Sequence, residues 1–548
     1  MVRSLILFAL VAGAIAAVWH GLGKPHPVPP FPVGPDEKVT CISYAPFHAG
    51  QAPFTVGLVI PDSQIEGDLK QLARAASCVR TYSAMGRQGA VARLAAKHGL
   101  EVLQGIWLGR NRADNRREIE AALKLAKAYP GTIKALIVGN EALLRGELLA
   151  GDVRVYLEEV RQRSDLPSTY ADVWEFWLEH PELASATDFV TIHVLPYWEN
   201  DPVAAEKIGV HLRDVMRRVG EAFPGKEILI GEIGWPSAGR MREAALPSPS
   251  NQALVVSEVV AAAKEQGWRV NIIEAYDQHW KRLLEGTVGG HWGLFDDTTR
   301  ELKFRFGEPV SNHPDWMLKA GLGIGAAALV FMSFGLGASG REARGWRRDP
   351  GAASIALATG LTFGLAATNL AMENALPGEG LRGVIMFALA LTVPMAAAFA
   401  LARGWELPGF AMALDPPHCR GGTRDGAILA ALLVATAIAA IHVALGLVFD
   451  PRYKDFPFAA LTGPVTALAV VAFIGARGRL SPGAAEIAAA SVLAGSALFI
   501  VGNEGAANWQ ADWLALLFVA LALTVLQART APRLSRSSAI ASAAAPVL

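Results

Sequence analysis

Ile228-Leu-Ile-Gly-Glu-Ile-Gly-Trp-Pro-Ser237 is the stretch whose reading decides the fold. Glu227 to Ile230 is a short apolar run of strand type that stops at Gly231. A carboxylate, Glu232, follows at once, and Ile233-Gly234-Trp235-Pro236 turns the chain and sets a large aromatic beside it. An acid at the C-terminal end of a strand is how a parallel α/β barrel builds its active face.

A second stretch repeats the pattern. Ile133-Lys-Ala-Leu-Ile-Val138 reads as a buried strand and ends in Gly139-Asn140-Glu141. Two carboxylates on the ends of two parallel strands suit glycosidic bond cleavage. One protonates the leaving oxygen, and the other attacks the sugar or activates water. Together the two stretches resemble the active-site motifs of glycoside hydrolase family 17, the β-1,3-glucanase family. There the acid/base sits in an Asn-Glu pair after the fourth strand. The nucleophile sits in a Gly-Glu-x-Gly-Trp-Pro-Ser segment after the seventh.

The resemblance extends to Asn271-Ile-Ile-Glu-Ala-Tyr-Asp-Gln-His-Trp-Lys281 and His291-Trp-Gly-Leu-Phe295, and covers roughly Val39 to Asp296. It departs at Gln278, where the family often has an acid, and at His193, where an amide is expected. It implies a retaining mechanism, with Glu232 as nucleophile and Glu141 as acid/base. Glu141 is then expected to have a raised pKa. Asn140 resembles the family residue that holds the 2-hydroxyl. His193 is expected to be hydrogen-bonded structure at a strand end rather than a general base.

Between Val39 and Val310, strand-like and helix-like runs alternate. Strands are expected near Val39–Tyr44, Cys78–Tyr82, Glu101–Ile106, Ile133–Val138, Ser168–Tyr170, Phe189–His193, Glu227–Ile230 and Val270–Glu274. Eight such units in this length make a (β/α)8 TIM barrel. Besides Glu141 and Glu232, the strand ends offer Tyr44, Arg80, Tyr82, Asn140, His193, Tyr197, Trp235, Glu274, Asp277 and Lys281 as substrate-binding candidates. Glu274 and Lys281 would stand behind the others. Aromatics and hydrogen-bonding groups together suit sugars, with their apolar faces and hydroxyl rims.

The 548 residues exceed one ordinary domain, and a formal net charge of zero does not favour nucleic acid as a partner. No spacing of metal ligands appears, so neither metal nor cofactor is expected. The division expected is a signal anchor or signal peptide over 1–22, a Pro-rich linker over 23–38, the barrel over 39–310 and a transmembrane domain over 311–548. Pro25, Pro27, Pro29, Pro30, Pro32 and Pro35 would form a stiff spacer holding the barrel off a bilayer. Cys41 and Cys78 fall on neighbouring predicted strands, where a bridge is usually strained, so two buried free thiols are expected.

Beyond Asp315 the chain is rich in Ala, Leu, Val and Gly. Apolar spans are visible near 317–338, 352–372, 383–402, 426–448, 457–476, 484–502 and 510–528. This half is expected to be all-α and to pass through a lipid bilayer. Arginines follow the first, third, fifth and last spans, and Arg3 precedes the N-terminal run. By the positive-inside rule both termini are cytoplasmic and the barrel is outside. A bacterial inner membrane facing a periplasm fits this. A membrane-tethered barrel of this sort looks like the rhizobial β-(1→6)-glucan synthases. The resemblance implies transglycosylation of β-glucan, with endo-β-1,3-glucanase activity as the alternative. A glucan synthase or exporter in the same membrane is an expected partner. A non-catalytic glucan-binding subunit would not need both glutamates.

Overall fold

The computed structural model describes residues 2–32, 38–338, 347–374, 377–414, 424–475 and 482–528. Two compact units emerge: residues 25–310, and residues 1–24 together with 311–548.

In the first unit, β1 (Cys41–Ser43), β2 (Cys78–Arg80), β3 (Glu101–Ile106), β4 (Ile133–Asn140), β5 (Ser168–Val173), β6 (Val190–His193), β7 (Ile228–Ile233) and β8 (Arg269–Ile272) pair in chain order. All neighbours are parallel, and β8 closes on β1 through Cys41↔Asn271 and Ile42↔Ile272. The expected (β/α)8 barrel is present. Each strand feeds a right-handed crossover, and Val, Ile and Leu on both faces let helices cover the outside while side chains fill the inside. After the N-terminal helix α1 (Val2–Leu22), which belongs to the other unit, the barrel helices are α2 (Asp62–Leu72), α3 (Val91–Ala96), α4 (Arg112–Ala128), α5 (Ala150–Arg163), α6 (Trp174–Glu179), α7 (Ile208–Ala222), α8 (Pro249–Gln266) and α9 (Arg282–Glu285). Local signals set their ends. Asn111 caps α4 by accepting from the backbone N–H of Ala113. Ser248 caps α8, Pro249 opens it, and Gly267 ends it at φ 70°.

The barrel floor is apolar: Cys41, Cys78, Leu103, Ala135, Ile137, Ala171, Phe189 and Leu229 pack together. Above it lie buried polar side chains, as where Asn271 Nδ2 donates to Ser43 Oγ at 2.7 Å and to the Gly231 carbonyl at 2.6 Å. Three strands shift register just before the active face, at Ile137/Asn140, Ile192/His193 and Ile230/Ile233. Such irregularities turn a side chain toward a new direction.

Two expectations fail here. Cys41 and Cys78 are joined by a disulfide, with their Cα atoms 4.4 Å apart. They are the first residues of β1 and β2 and both point into the barrel floor, so the adjacent strands already hold them at bridging distance. The Pro-rich stretch is not a free spacer over its described part. His26 pairs with Val310, Phe31 stacks on Phe306 at 4.1 Å, and the Pro32 carbonyl accepts from Lys264 Nζ at 3.1 Å. Pro35 and Cys419 lie outside the described residues.

The second unit is helical: α1 with α10 (Trp316–Ala338), α11 (Arg348–Asn369), α12 (Pro377–Arg403), α13 (Phe410–Leu414), α14 (Arg424–Phe449), α15 (Phe458–Gly475), α16 (Ala484–Glu504) and α17 (Trp509–Gln527). Seven of these helices, α1 among them, are long and apolar enough to cross a membrane, and α15 is shorter. Each of the seven expected C-terminal spans is a helix. Helix α1 is built into this unit. Ile15 is fully buried where α10 and α11 approach closely. Small residues make the approach possible, since a Cβ on Gly323 would lie 2.0 Å from the Gly360 carbonyl, and one on Gly360 would lie 2.3 Å from Ile15 Cδ1. At one end of α1, Arg3 meets Asp349 at 3.5 Å. At the other, Trp19 packs edge-on against His313 and His20 against Trp316.

Candidate active site

Asn140 ends β4 and Glu141 follows it. Gly139 at φ 92° and Glu141 at φ 51° both occupy the left-handed region. For Glu141, which is not glycine, that conformation is unfavourable and persists only because the surroundings impose it. Its backbone N–H donates to the Ala171 carbonyl at 2.8 Å. Glu232 lies within β7 and is paired in register with His193 on β6.

These elements bring the two predicted carboxylates together. One oxygen of Glu141, one ring nitrogen of His193 and one oxygen of Glu232 lie within 4.8 Å of one another. His193 Nδ1 is 2.8 Å from Glu141 Oε1, and His193 Nε2 is 3.8 Å from Glu232 Oε1. Arg80 is fully buried on the other side of Glu232. Its Nη1 donates to Glu232 Oε1 and, at 3.1 Å, to the Gly231 carbonyl, while its Nη2 donates to Asn140 Oδ1. The guanidinium thus ties the second stretch to the first and offsets the charge of Glu232. Losing one partner of such a buried pair costs about 3–5 kcal/mol.

The expectation of a raised pKa at Glu141 is overturned. Burial pushes its carboxyl up, but the His193 hydrogen bond and the charges of His193, Arg145 and Arg80 outweigh it. The net displacement is below the ordinary carboxylate value. The carboxyls displaced upward are others. Burial lifts Asp172 to about 6 and Glu285 to about 7, with the charge of Glu141 adding to both. Burial also lifts Glu274 to about 7, against the opposing Lys281 charge. Glu274 and Glu285 in turn hold Lys281 in its charged form.

Of the other predicted residues, Arg80, Asn140, His193 and Tyr82 gather around the two glutamates. The Tyr82 ring lies 4.9 Å from the Arg80 guanidinium, and its hydroxyl donates to the Ile273 carbonyl at 3.3 Å. Glu274 and Lys281 form a buried ion pair behind Tyr82. Four candidates are packed as structure instead. Tyr44 donates to Asp68 on α2 at 2.9 Å. Tyr197 donates to the Arg240 carbonyl at 2.9 Å and packs edge-on against Trp235 and Trp292. Trp235 is fully buried and donates to the Leu246 carbonyl at 2.9 Å. Asp277 accepts from the Gly293 N–H at 2.9 Å and from Lys303 at 2.6 Å. In each case the strand-end position was read correctly, but the polar tip turns into the packing around the barrel rather than toward the carboxylates.

Three neighbours escaped the sequence reading. Arg145 donates to the Asn140 carbonyl, and its guanidinium lies 4.2 Å from the ring of Trp107, which is 40% exposed at the end of β3. Asp172 on β5 accepts from Tyr170, and its other oxygen accepts from the Val173 N–H at 2.8 Å. Glu285 ends α9. Only the spacing of Glu285 after Lys281, one helical turn on, could have hinted at it.

Among the described residues two groups have donor atoms close enough for a cation: Asp277, His279 and His291, and Glu141, His193 and Glu232. The Lys303 ammonium already sits on Asp277, and the Arg80 guanidinium on Glu232. Each group therefore carries its own positive charge.

Residues 41–293 match the profile of the BtgE/BtgC glycoside hydrolase domain. A glucan 1,3-beta-glucosidase of Candida albicans is 27% identical over 285 residues, spanning 46% of this chain and 92% of that protein. One of Saccharomyces cerevisiae is 24% identical over 275 residues, spanning 45% of this chain and 88% of that protein. A solved glycoside hydrolase family 17 beta-1,3-glucanosyltransferase from Rhizomucor miehei is 23% identical with a TM-score of 0.43, covering 48% of this chain and 95% of that one. The barrel of this chain is therefore similar to BtgE/BtgC glycoside hydrolase domains and to glucan 1,3-beta-glucosidases.

Proposed function

We propose that this chain is a membrane-held retaining transglycosylase acting on β-1,3-glucan, and that it helps build β-(1→3),(1→6)-glucan in a bacterial periplasm. The observation that carries the retaining chemistry is the approach of the Glu141 and Glu232 oxygens to within 4.8 Å. Retaining enzymes hold their carboxyls about 5–5.5 Å apart, and inverting ones leave room for a water at about 6.5–9.5 Å. Glu232 attacks the anomeric carbon as Glu141 gives its proton to the departing oxygen. In the second half Glu141 takes a proton from the acceptor hydroxyl, and the acceptor oxygen replaces Glu232 on the sugar. Asn140, Arg80 and Tyr82 border this centre. The exposed face of Trp107 offers a platform for a neighbouring sugar.

Several observations support the membrane setting. Seven helices are long and apolar enough to span a bilayer. One face of α1, carrying Val11, Ile15 and Trp19, packs against α10 and α11, so we read it as a retained span rather than a cleaved signal. A disulfide in the barrel suits an oxidising compartment. With both termini in the cytoplasm and the barrel outside, an odd number of spans must follow the barrel. That parity needs α15 to cross. Its 18 residues reach about 27 Å, close to a hydrocarbon core.

The names of the Candida and Saccharomyces relatives favour a second reading, hydrolysis of the same substrate at the same residues. Product analysis on laminari-oligosaccharides separates the two. Products longer than the substrate or carrying β-1,6 links are expected. Shorter products alone would make the protein a hydrolase.

A further inference from the structure

We propose that His193 is the positioning residue that makes Glu141 a strong acid toward the leaving oxygen. Its Nδ1–H remains on Glu141 Oε1 while the other carboxyl oxygen gives up its proton. This rests on the reading of Glu141 as the acid/base. The ring is fixed from several sides. It is fully buried, and the register shift at Ile192/His193 turns it into the barrel mouth. Gly231 leaves room for it, since a Cβ there would lie 3.2 Å from His193 Cδ2.

The two nitrogens meet different surroundings. Nδ1 has a carboxylate oxygen at 2.8 Å, which can only accept once Glu141 is ionised, so Nδ1 carries the hydrogen in that state. Nε2 is buried, has no hydrogen-bond partner among the described residues and sits 3.8 Å from Glu232 Oε1. In the neutral ring it presents only a lone pair there, and the nucleophile is left to Arg80. The groups facing the ring are Glu141 after β4, Glu232 on β7, Arg80 on β2 and Asp172 on β5. Protonation of the ring would turn a second N–H toward Glu232 and engage both carboxylates at once, which blunts the nucleophile.

The arrangement acts in the first half-reaction. The bond from the anomeric carbon to the leaving oxygen breaks, and the bond to Glu232 forms. The proton leaves Glu141 for the departing oxygen. The negative charge then left on Glu141 meets a donor already in place, which is the electrostatic pre-arrangement that lowers a barrier. The downward displacement of the Glu141 pKa by this hydrogen bond agrees with that role. A purely packing histidine at this position would not need its nitrogen on the acid.

The test uses the full-length protein in detergent and two substrates. Laminari-oligosaccharides have a poor leaving group that needs the acid, and a 2,4-dinitrophenyl β-laminaribioside has one that does not. Asn can place an amide N–H where Nδ1 stands, whereas Gln places it where Nε2 stands. His193→Gln should lose roughly tenfold or more in kcat/KM on the oligosaccharide and far less on the dinitrophenyl substrate. Its alkaline limb should move to higher pH. His193→Asn should lose less and keep the limb nearer its wild-type place. If His193→Gln loses its thermal transition, His193→Ala carries the same two readings. Equal losses on both substrates, or an alkaline limb that stays put, would overturn the inference. Glu141→Ala with azide on the dinitrophenyl substrate checks the underlying reading separately. Rescue as a glycosyl azide upholds Glu141 as acid/base. No rescue sinks that reading and this inference with it.

Discussion

At the scale of single residues, the site works by crowding charges of opposite sign out of water. Glu141, Glu232, Glu274 and Glu285 are interleaved with Arg80 and Lys281, and His193 hydrogen-bonds to Glu141. Such a set is stable only while each charge has a partner. Burial, with the charges of Glu141 and Glu232 adding and that of Lys281 opposing, pushes Glu285 up to about 7. A carboxyl raised in the folded state binds its proton more tightly there than in the unfolded chain. Stability is therefore lost as pH climbs from about 4.5 to 7, the window between the two values. Glu285→Gln removes the dependence. Its Tm should gain on wild type steadily across that window, and a constant difference from pH 5 to 7.5 would refute the assignment. The sequence disclosed Glu141 and Glu232 because each follows an apolar run at once. It did not disclose Glu285, which lies 11 residues beyond Glu274 on a four-residue helix with no periodic pattern to place it.

At the scale of elements, register shifts in β4, β6 and β7 aim the functional side chains. Hydrophobic runs show where strands lie but not where one residue slips, so the strand ends were legible and the side-chain directions were not. This is why Tyr44, Tyr197, Trp235 and Asp277 lie at the expected ends yet face the packing. The same limit shortened β5 in the sequence reading, because Thr169 and Asp172 are buried polar residues that interrupt the apolar run. The β7 irregularity depends on Gly231, where a Cβ would lie 2.4 Å from Thr191 Cγ2. Gly231→Ala should reduce turnover on laminari-oligosaccharides at least tenfold through the displaced Thr191 and His193. Adding Thr191→Ser frees that space and should recover part of the loss. A Gly231→Ala variant with wild-type kinetics would show that the close approach has no bearing on catalysis.

At the scale of the whole molecule, two features follow from the contrast between a charged, aromatic half and an Ala/Leu-rich half that was plain in composition. The first is α1. Its apolar run was visible, but its packing was not, because the contact with Gly323 and Gly360 joins residues more than 300 positions apart. Intact-mass measurement of the membrane-extracted protein should find residues 2–22 still attached, and a species beginning near residue 17 would contradict this. The second is the Cys41–Cys78 bridge, which closes a loop of 37 residues and is worth about 2–4 kcal/mol. Cys41→Ala should lower the Tm of the oxidised protein by several degrees, and reductant should remove the difference. An unchanged Tm would mean the bridge does not form. Sequence reasoning dismissed the bridge on the general strain of neighbouring strands, but these cysteines open their strands at the barrel floor.

All of these scales meet in the pairing of Glu141 with Glu232. The direct test is the configuration of the bond first made at the donor's anomeric carbon, read by proton NMR during turnover of a laminari-oligosaccharide: the new glycosidic bond where a sugar accepts, the new hemiacetal before mutarotation where water does. A β-configuration is the result expected of two carboxyls this close. An α-configuration would mean that the acceptor attacks the substrate directly with no bond to Glu232 in between, and the retaining assignment would fall.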